Sequence, residues 1–257
     1  MIDIKTKDEI RIMHEGGKIL AKVLNELLQN IKPGVFEHQI DRLAKKLIIK
    51  DNAFPGFKKV KGYHHSICIS TNDVVVHGVP TNYKFKDGDI VGIDCGVFYK
   101  GFHTDMAETI QIKNEKLKMK NDNEKIKRFL KTGKRALDEA IKVAKPGNRV
   151  GYISKAIQDI IEGEDFSVVR SLVGHGVGRQ LHEEPEVPGY LVSKIEDTPI
   201  LKEGMTLAIE VIYNMGKPDV VYTNEDGWTI ATADKSLSGL FERTIAITRE
   251  GSLVLTA

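Results

Sequence analysis

Apolar residues recur along the chain with two periods, one helical and one extended. Thr6-Lys7-Asp8-Glu9 has the form of a capping box, and Ile10, Met13, Gly17, Leu20, Leu24 and Leu27 follow at steps of three and four. That spacing predicts a helix with one buried face, ended by Lys32-Pro33-Gly34. Ile40, Leu43, Ala44 and Leu47 mark a second helix. Ala136, Leu137, Ala140, Ile141 and Ala144 mark a third, stopped by a second break, Lys145-Pro146-Gly147. Ile153, Ala156, Ile157 and Ile160 mark a fourth.

The extended segments repeat in the same way. Gly88-Asp89-Ile90-Val91-Gly92-Ile93-Asp94 matches Gly204-Met205-Thr206-Leu207-Ala208-Ile209-Glu210, each a glycine, a strand and a carboxylate. His77-Gly78-Val79-Pro80 is echoed by His182-Glu183-Glu184-Pro185. Thr109-Ile110-Gln111-Ile112 and Thr244-Ile245-Ala246-Ile247 close the two halves, with Asp105 and Glu242 just upstream. Four echoes in one order imply a duplicated α/β unit within a single domain spanning residues 1–257, with repeats at about 6–112 and 128–250. The repeated acids and histidines are expected at the seam. The lysine-rich stretch Lys113–Lys127 reads as a solvated linker between the halves.

Composition narrows the setting. Among 257 residues, 41% are hydrophobic and 29% charged, a globular balance that excludes disorder. Lys+Arg 38 against Asp+Glu 36 leaves +2, so no bulk attraction to nucleic acid or to an anionic membrane follows. No apolar run approaches the roughly 20 residues of a membrane span, and MIDIKTKDEI lacks the apolar core of a secretory signal. Two cysteines, Cys68 and Cys95, suit a reducing compartment better than a disulfide framework. The expected location is the cytoplasm.

The chemistry lies in acids placed among apolar residues. Asp89–Phe98 and Phe102–Ile112 read as a hairpin around Lys100-Gly101, which sets Asp94 opposite Ala107 and Asp105 diagonal to Asp94 on one face. Glu210 sits in the apolar run Leu207–Ile212, and Glu242 lies between Phe241 and Thr244-Ile245. Four such acids are costly to bury unpaired. Protein cations or metal ions would resolve them, and nearby cations are few: Arg243, next to Glu242, points to the opposite face of a strand. Two divalent ions would balance four carboxylates, and oxygen-rich ligation with one imidazole suits Mn, Fe or Co somewhat better than a thiolate-type zinc site. Gly174-His175-Gly176-Val177-Gly178 is no phosphate loop, because Pro185 and Pro188 follow where a helix should start. Its glycines are expected to bring the backbone close to a ligand and present His175. His182 lies in the same segment, and His77 gains weight from its echo of His182. Cys95, beside Asp94, reads as a small buried hydrophobe.

Asn72-x4-His77-Gly-x-Pro80, Asp94, His103-Thr-Asp105-x-Ala107-x-Thr109, Gly174-His175-Gly-x-Gly178-x3-His182-Glu183-x-Pro185, Gly204-Met205-x3-Ile209-Glu210 and Glu242 together resemble the methionine aminopeptidases. The likeness runs from about Ile10 to the C-terminus and is nearest the type I class in its bacterial form. It implies the pseudo-two-fold "pita-bread" α/β fold around a central antiparallel sheet. It further implies that Asp94, Asp105, His175, Glu210 and Glu242 hold two divalent ions (Co, Mn, Fe or Zn), with Asp105 and Glu242 bridging. On the same ground His182 would stabilise the oxyanion, His77 would contact the scissile nitrogen, and Glu210 would also shuttle a proton. Phe57, Tyr63, Cys68, His77 and Trp228 would line the methionine pocket, with His182 at the substrate. The implied activity is removal of initiator methionine from nascent chains with a small second residue, by a monomer that meets nascent N-termini and the ribosome.

Val60, Leu181, Val211, Leu240 and Arg243 depart from the family's usual residues, although none is a ligand position. The competing readings are an Xaa-Pro-cleaving peptidase of the same fold, which typically needs a further N-terminal domain, and a catalytically weak pita-bread protein that binds RNA or a partner.

Overall fold

The computed structural model describes residues 2–112, 120–223 and 226–257. Helix α1 (Lys7–Asn30) starts at its capping box: Glu9 N–H donates to Thr6 Oγ1 at 3.3 Å and Thr6 N–H to Glu9 Oε2 at 2.8 Å. Its buried face carries Met13, Leu20, Leu24 and Leu27. Gly17 lies so close to the Leu255 carbonyl that a Cβ would collide with it. Helix α2 (Glu37–Lys50) buries Ile40, Ala44 and Ile48. Helices α3 (Lys120–Val143) and α4 (Val150–Glu162) form the second pair, and in α4 a ridge of Ile153, Ile157 and Ile161, each four residues from the next, is buried.

The expected linker Lys113–Lys127 is corrected in part. Residues 113–119 lie outside the described residues, but from Lys120 onward the segment belongs to α3. Glu124, Lys125 and Lys127 lie on the solvent face of that helix, and among the described residues Phe129 is the first that is buried. Lysine and glutamate are good helix formers, so a charge run next to a buried aromatic extends the helix instead of ending it.

The strands are β1 (Phe54–Pro55), β2 (Ile67–Thr71), β3 (Val74–Val76), β4 (Ile90–Tyr99), β5 (Phe102–Gln111), β6 (Ser167–Val168), β7 (Val173–Gly176), β8 (Glu183–Pro188), β9 (Thr206–Asn214), β10 (Val220–Tyr222), β11 (Ile230–Thr232), β12 (Ser238–Thr248) and β13 (Gly251–Val254). The main sheet runs β1-β4-β5-β12-β9-β7-β8, with β2 on β4, β6 on β9 and β13 on β12; β10-β11-β3 form a smaller sheet. All these pairings are antiparallel. The β4–β5 turn is Lys100-Gly101, both at positive φ (46° and 92°), the two-residue geometry that matches strand twist.

Alternation divides the sheet. Val91, Ile93, Cys95 and Val97 of β4 and Met106 of β5 face α1 and α2. Leu207, Ile209, Val211 and Tyr213 of β9 and Phe241, Ile245 and Ile247 of β12 face α3 and α4. Both helical layers therefore cover one side of the sheet, and the even residues of β4, β9 and β12 share the other side with the odd residues of β5.

Candidate metal centre

The register draws the expected acids into two rows across neighbouring strands. In the first, Asp94 stands opposite Ala107, Ala107 opposite Glu242, and Glu242 opposite Glu210. One step along, Gly96 stands opposite Asp105 on one side, while Thr244 faces Ala208 and Ala208 faces His175 on the other. Side chains two apart on a strand share a face, so four carboxylates and one imidazole project from both halves into one space. Single ligand atoms of Asp105, His175 and Glu242 lie within 4.8 Å of one another. His175 Nε2 is 3.5 Å from Glu210 Oε1.

Burial raises the proton affinity of all four acids, with mutual repulsion adding to it for Asp105, Glu210 and Glu242; Asp94 is pushed up to about 7. Asp94 Oδ1 and Glu242 Oε1 are buried without a hydrogen-bond partner. His175 is the complement: Nδ1–H donates to Gly176 O at 2.9 Å, which turns the Nε2 lone pair into the site. Burial holds its pKa down at about 3, so the ring is neutral. Arg243, on the other face as expected, reaches Glu108 Oε2 at 2.6 Å. Oxygen donors left orphaned and one neutral imidazole are a donor set for divalent cations, and the residues fit such a group.

Beside the acids lies a narrow cavity of about 100 Å³. Phe57, Tyr63, Cys68, His77, Trp228 and His182 all line it, so the structure brings every expected site residue to one place. Val60 and Leu181, noted in the sequence only as departures, complete the wall. Tyr63 is set by its hydroxyl donating to Ile67 O at 2.8 Å and by edge contact with Trp228 at 5.1 Å. Phe57 fits because Gly96 has no side chain; a Cβ there would stand 2.7 Å from the ring. His77 sits at φ 55°, a conformation costly for a non-glycine residue and characteristic of functional sites. Its neighbour Gly78 presses on the Ile69 carbonyl, where no Cβ fits. His182 leans on His175, ring centres 4.3 Å apart at 76°.

One expectation needs correcting. The glycines around His175 admit protein, not a ligand: a Cβ on Gly174 would stand 2.5 Å from Ala208 O, and one on Gly176 would collide with Glu184 O. They let β7 lie close between β8 and β9, and that packing presents the imidazole. Lys5 drew no notice in the sequence and Glu183 entered only as part of the His182 motif; the two pair beneath the His182 loop. A lysine inside a charged N-terminal run carries no signal of burial.

A sheet that places ionisable groups at its best-protected positions, beside a slot for one apolar side chain, is that of a pita-bread metallopeptidase. Residues 11–249 match the model of metallopeptidase family M24. The methionine aminopeptidase of Clostridium perfringens is 43% identical over 256 residues, covering 100% of this chain and 99% of that one. The crystal structure of methionine aminopeptidase from Thermotoga maritima superposes with a TM-score of 0.92 at 40% identity, covering 100% of this chain and 99% of its own. The prolidase from Pyrococcus horikoshii shares the fold, with a TM-score of 0.72 at 24% identity, and this chain covers 63% of it. The chain belongs to metallopeptidase family M24 and, within it, to the methionine aminopeptidases.

Proposed function

We propose that this protein removes the initiator methionine from nascent chains whose second residue is small, using two divalent ions held by Asp94, Asp105, His175, Glu210 and Glu242. The observation that carries the proposal is the pair of ligand rows opening directly into a side-chain-sized apolar cavity. When bound, divalent ions supply Lewis acidity that activates water and polarises the scissile carbonyl. Asp105 on β5 and Glu242 on β12, the two strands that join the halves, would stand among the residues that hold the ions.

The chain's own groups do the rest. Phe57, Tyr63, Cys68 and Trp228 take the flexible thioether into a water-poor slot. His182 donates to the developing oxyanion, and His77 contacts the scissile nitrogen. Glu210 carries a proton to the leaving amine. One catalytic domain spanning residues 1–257 belongs to the same proposal, since both repeats contribute ligands. We further assign the protein to the cytoplasm as a monomer working on nascent N-termini near the ribosome. Among the described residues no helix is long and apolar enough to cross a membrane.

The test uses metal-free protein with Mn, Co, Fe or Zn added back, on Met-Ala-Ser, Met-Lys-Ser and an Xaa-Pro peptide. The expected result is metal-dependent release of methionine from Met-Ala-Ser alone, abolished in Glu242→Ala. Cleavage of Xaa-Pro alone would transfer the protein to the prolidase side. No cleavage with any metal would leave a binding protein.

A further inference from the structure

His182 stands at the cavity mouth on the loop between β7 and β8, exposed to solvent, and among the described residues no hydrogen bond holds its imidazole. Its direction is therefore set by its backbone and by the ring of His175. The loop is held from below. Val177 N–H donates to Thr206 O at 3.1 Å, Gly178 N–H to Gln180 O at 3.0 Å, and His103 N–H to Gly178 O at 2.7 Å. Gln180 N–H donates to Glu183 Oε1 at 3.0 Å, and the other oxygen of Glu183 receives the ammonium of Lys5. Lys5 comes from outside the sheet and is only 4% exposed. Asp3 is its second partner, at 3.1 Å.

Two glycines admit this N-terminal segment. A Cβ on Gly178 would stand 2.6 Å from Lys5 Nζ, and one on Gly204 would stand 2.7 Å from Lys5 O. Lys5 N–H also donates to Gly204 O at 2.7 Å. The ammonium thus lies under the loop, bonded to the residue that follows His182.

The geometry points to Lys5 as a positioning residue that, through Glu183, fixes the angle at which His182 meets the reacting carbonyl. This rests on the reading of His182 as the oxyanion donor. A buried lysine and carboxylate hold each other because either alone would be an uncompensated charge. Without Lys5, Glu183 turns to water, releases Gln180 and lets the histidine swing. A misplacement of about 1 Å at such a donor costs up to about 100-fold in rate.

The experiment is a double-mutant cycle in the full-length, metal-loaded enzyme on Met-Ala-Ser, with Lys5→Met, His182→Ala and the double variant. Calorimetric metal affinity is measured for each. Lys5→Met should lower kcat about 10- to 100-fold, leave KM and metal affinity within about twofold, and add nothing in the His182→Ala background. Lys5→Arg, which restores the ion pair, should recover part of kcat. If Lys5→Met does not fold, the pair Lys5→Met/Glu183→Met removes both charges together and must show the same kcat loss. Additive losses in the cycle, or a fall in metal affinity, would overturn the assignment. Full turnover in His182→Ala would instead sink the functional reading of His182, and a separate effect of Lys5→Met would then count against the positioning role as well.

Discussion

At the scale of single residues, this site depends as much on what is small as on what is charged. Ala107 lies between Asp94 and Glu242 in one row, and Ala208 between Thr244 and His175 in the next. Their short side chains leave the space into which the acids converge. Gly96 does the same for the pocket wall. Gly96→Ala is expected to push the Phe57 ring into the cavity, from the 2.7 Å approach a Cβ would make. KM for methionyl peptides should rise several-fold in steady-state kinetics while metal affinity by calorimetry stays unchanged; an unaltered KM would show that the ring can give way. The acids themselves could be read from the sequence, because a carboxylate inside an apolar strand is an energetic anomaly. Val60 and Leu181 could not be read as pocket wall, because an apolar residue in a loop looks the same whether it lines a cavity or fills a core.

Among the elements, β5 and β12 are the seam between the halves, and Arg243 joins them from the helical side. Besides Glu108, it donates to Ala107 O at 3.1 Å and Glu242 O at 2.7 Å, so it braces the main chain of both ligand-bearing strands. Lys134 of α3 reaches Glu108 at 3.3 Å but is itself well exposed and cannot replace a buried fork. Arg243→Met should destabilise the fold by about 1–3 kcal/mol, the cost of buried acceptors left without a donor. A lower urea midpoint at constant slope would register it; an unchanged midpoint would mean that water supplies the missing donors. That Arg243 points away from Glu242 follows from strand alternation alone. Its partner did not follow, since Glu108 is identified only once the β5–β12 register is known. The start of α3 was misjudged for a related reason: charge marks a solvent face, but whether that face is linker or helix depends on Phe129 finding a core.

Over the whole molecule, the buried acids make metal-free protein sensitive to alkali. Their proton affinities are raised in the fold, so the folded state keeps protons that the unfolded chain releases. Stability must then fall as pH rises through the folded values, by up to about 1.4 kcal/mol per pH unit for each proton involved. His77, His103, His175 and His182 act in the opposite sense, because burial lowers their pKa. That opposing effect is confined to more acid solution and is nearly spent above pH 7, where they are neutral folded or unfolded. The melting temperature of metal-free protein should therefore drop between pH 7 and 8, and saturating Mn should raise it more at pH 8 than at pH 7. A flat metal-free profile would argue against four closely shared carboxylates.

Periodicity, punctuation and repetition by themselves determined the four helices, the hairpin around Lys100-Gly101, the duplicated order of elements and the acids and histidines that matter. These are local or self-similar features, and local sterics and alternation dictate them. Tertiary structure alone decided that β12 lies between β5 and β9, and hence that Glu242 and Glu210 join Asp94 and Ala107 in one row. It alone decided that glycines beside His175 admit strands, and that Lys5 is buried under His182. Each of these is a meeting of residues far apart in the chain, set by how two sheet halves and their helices share one core.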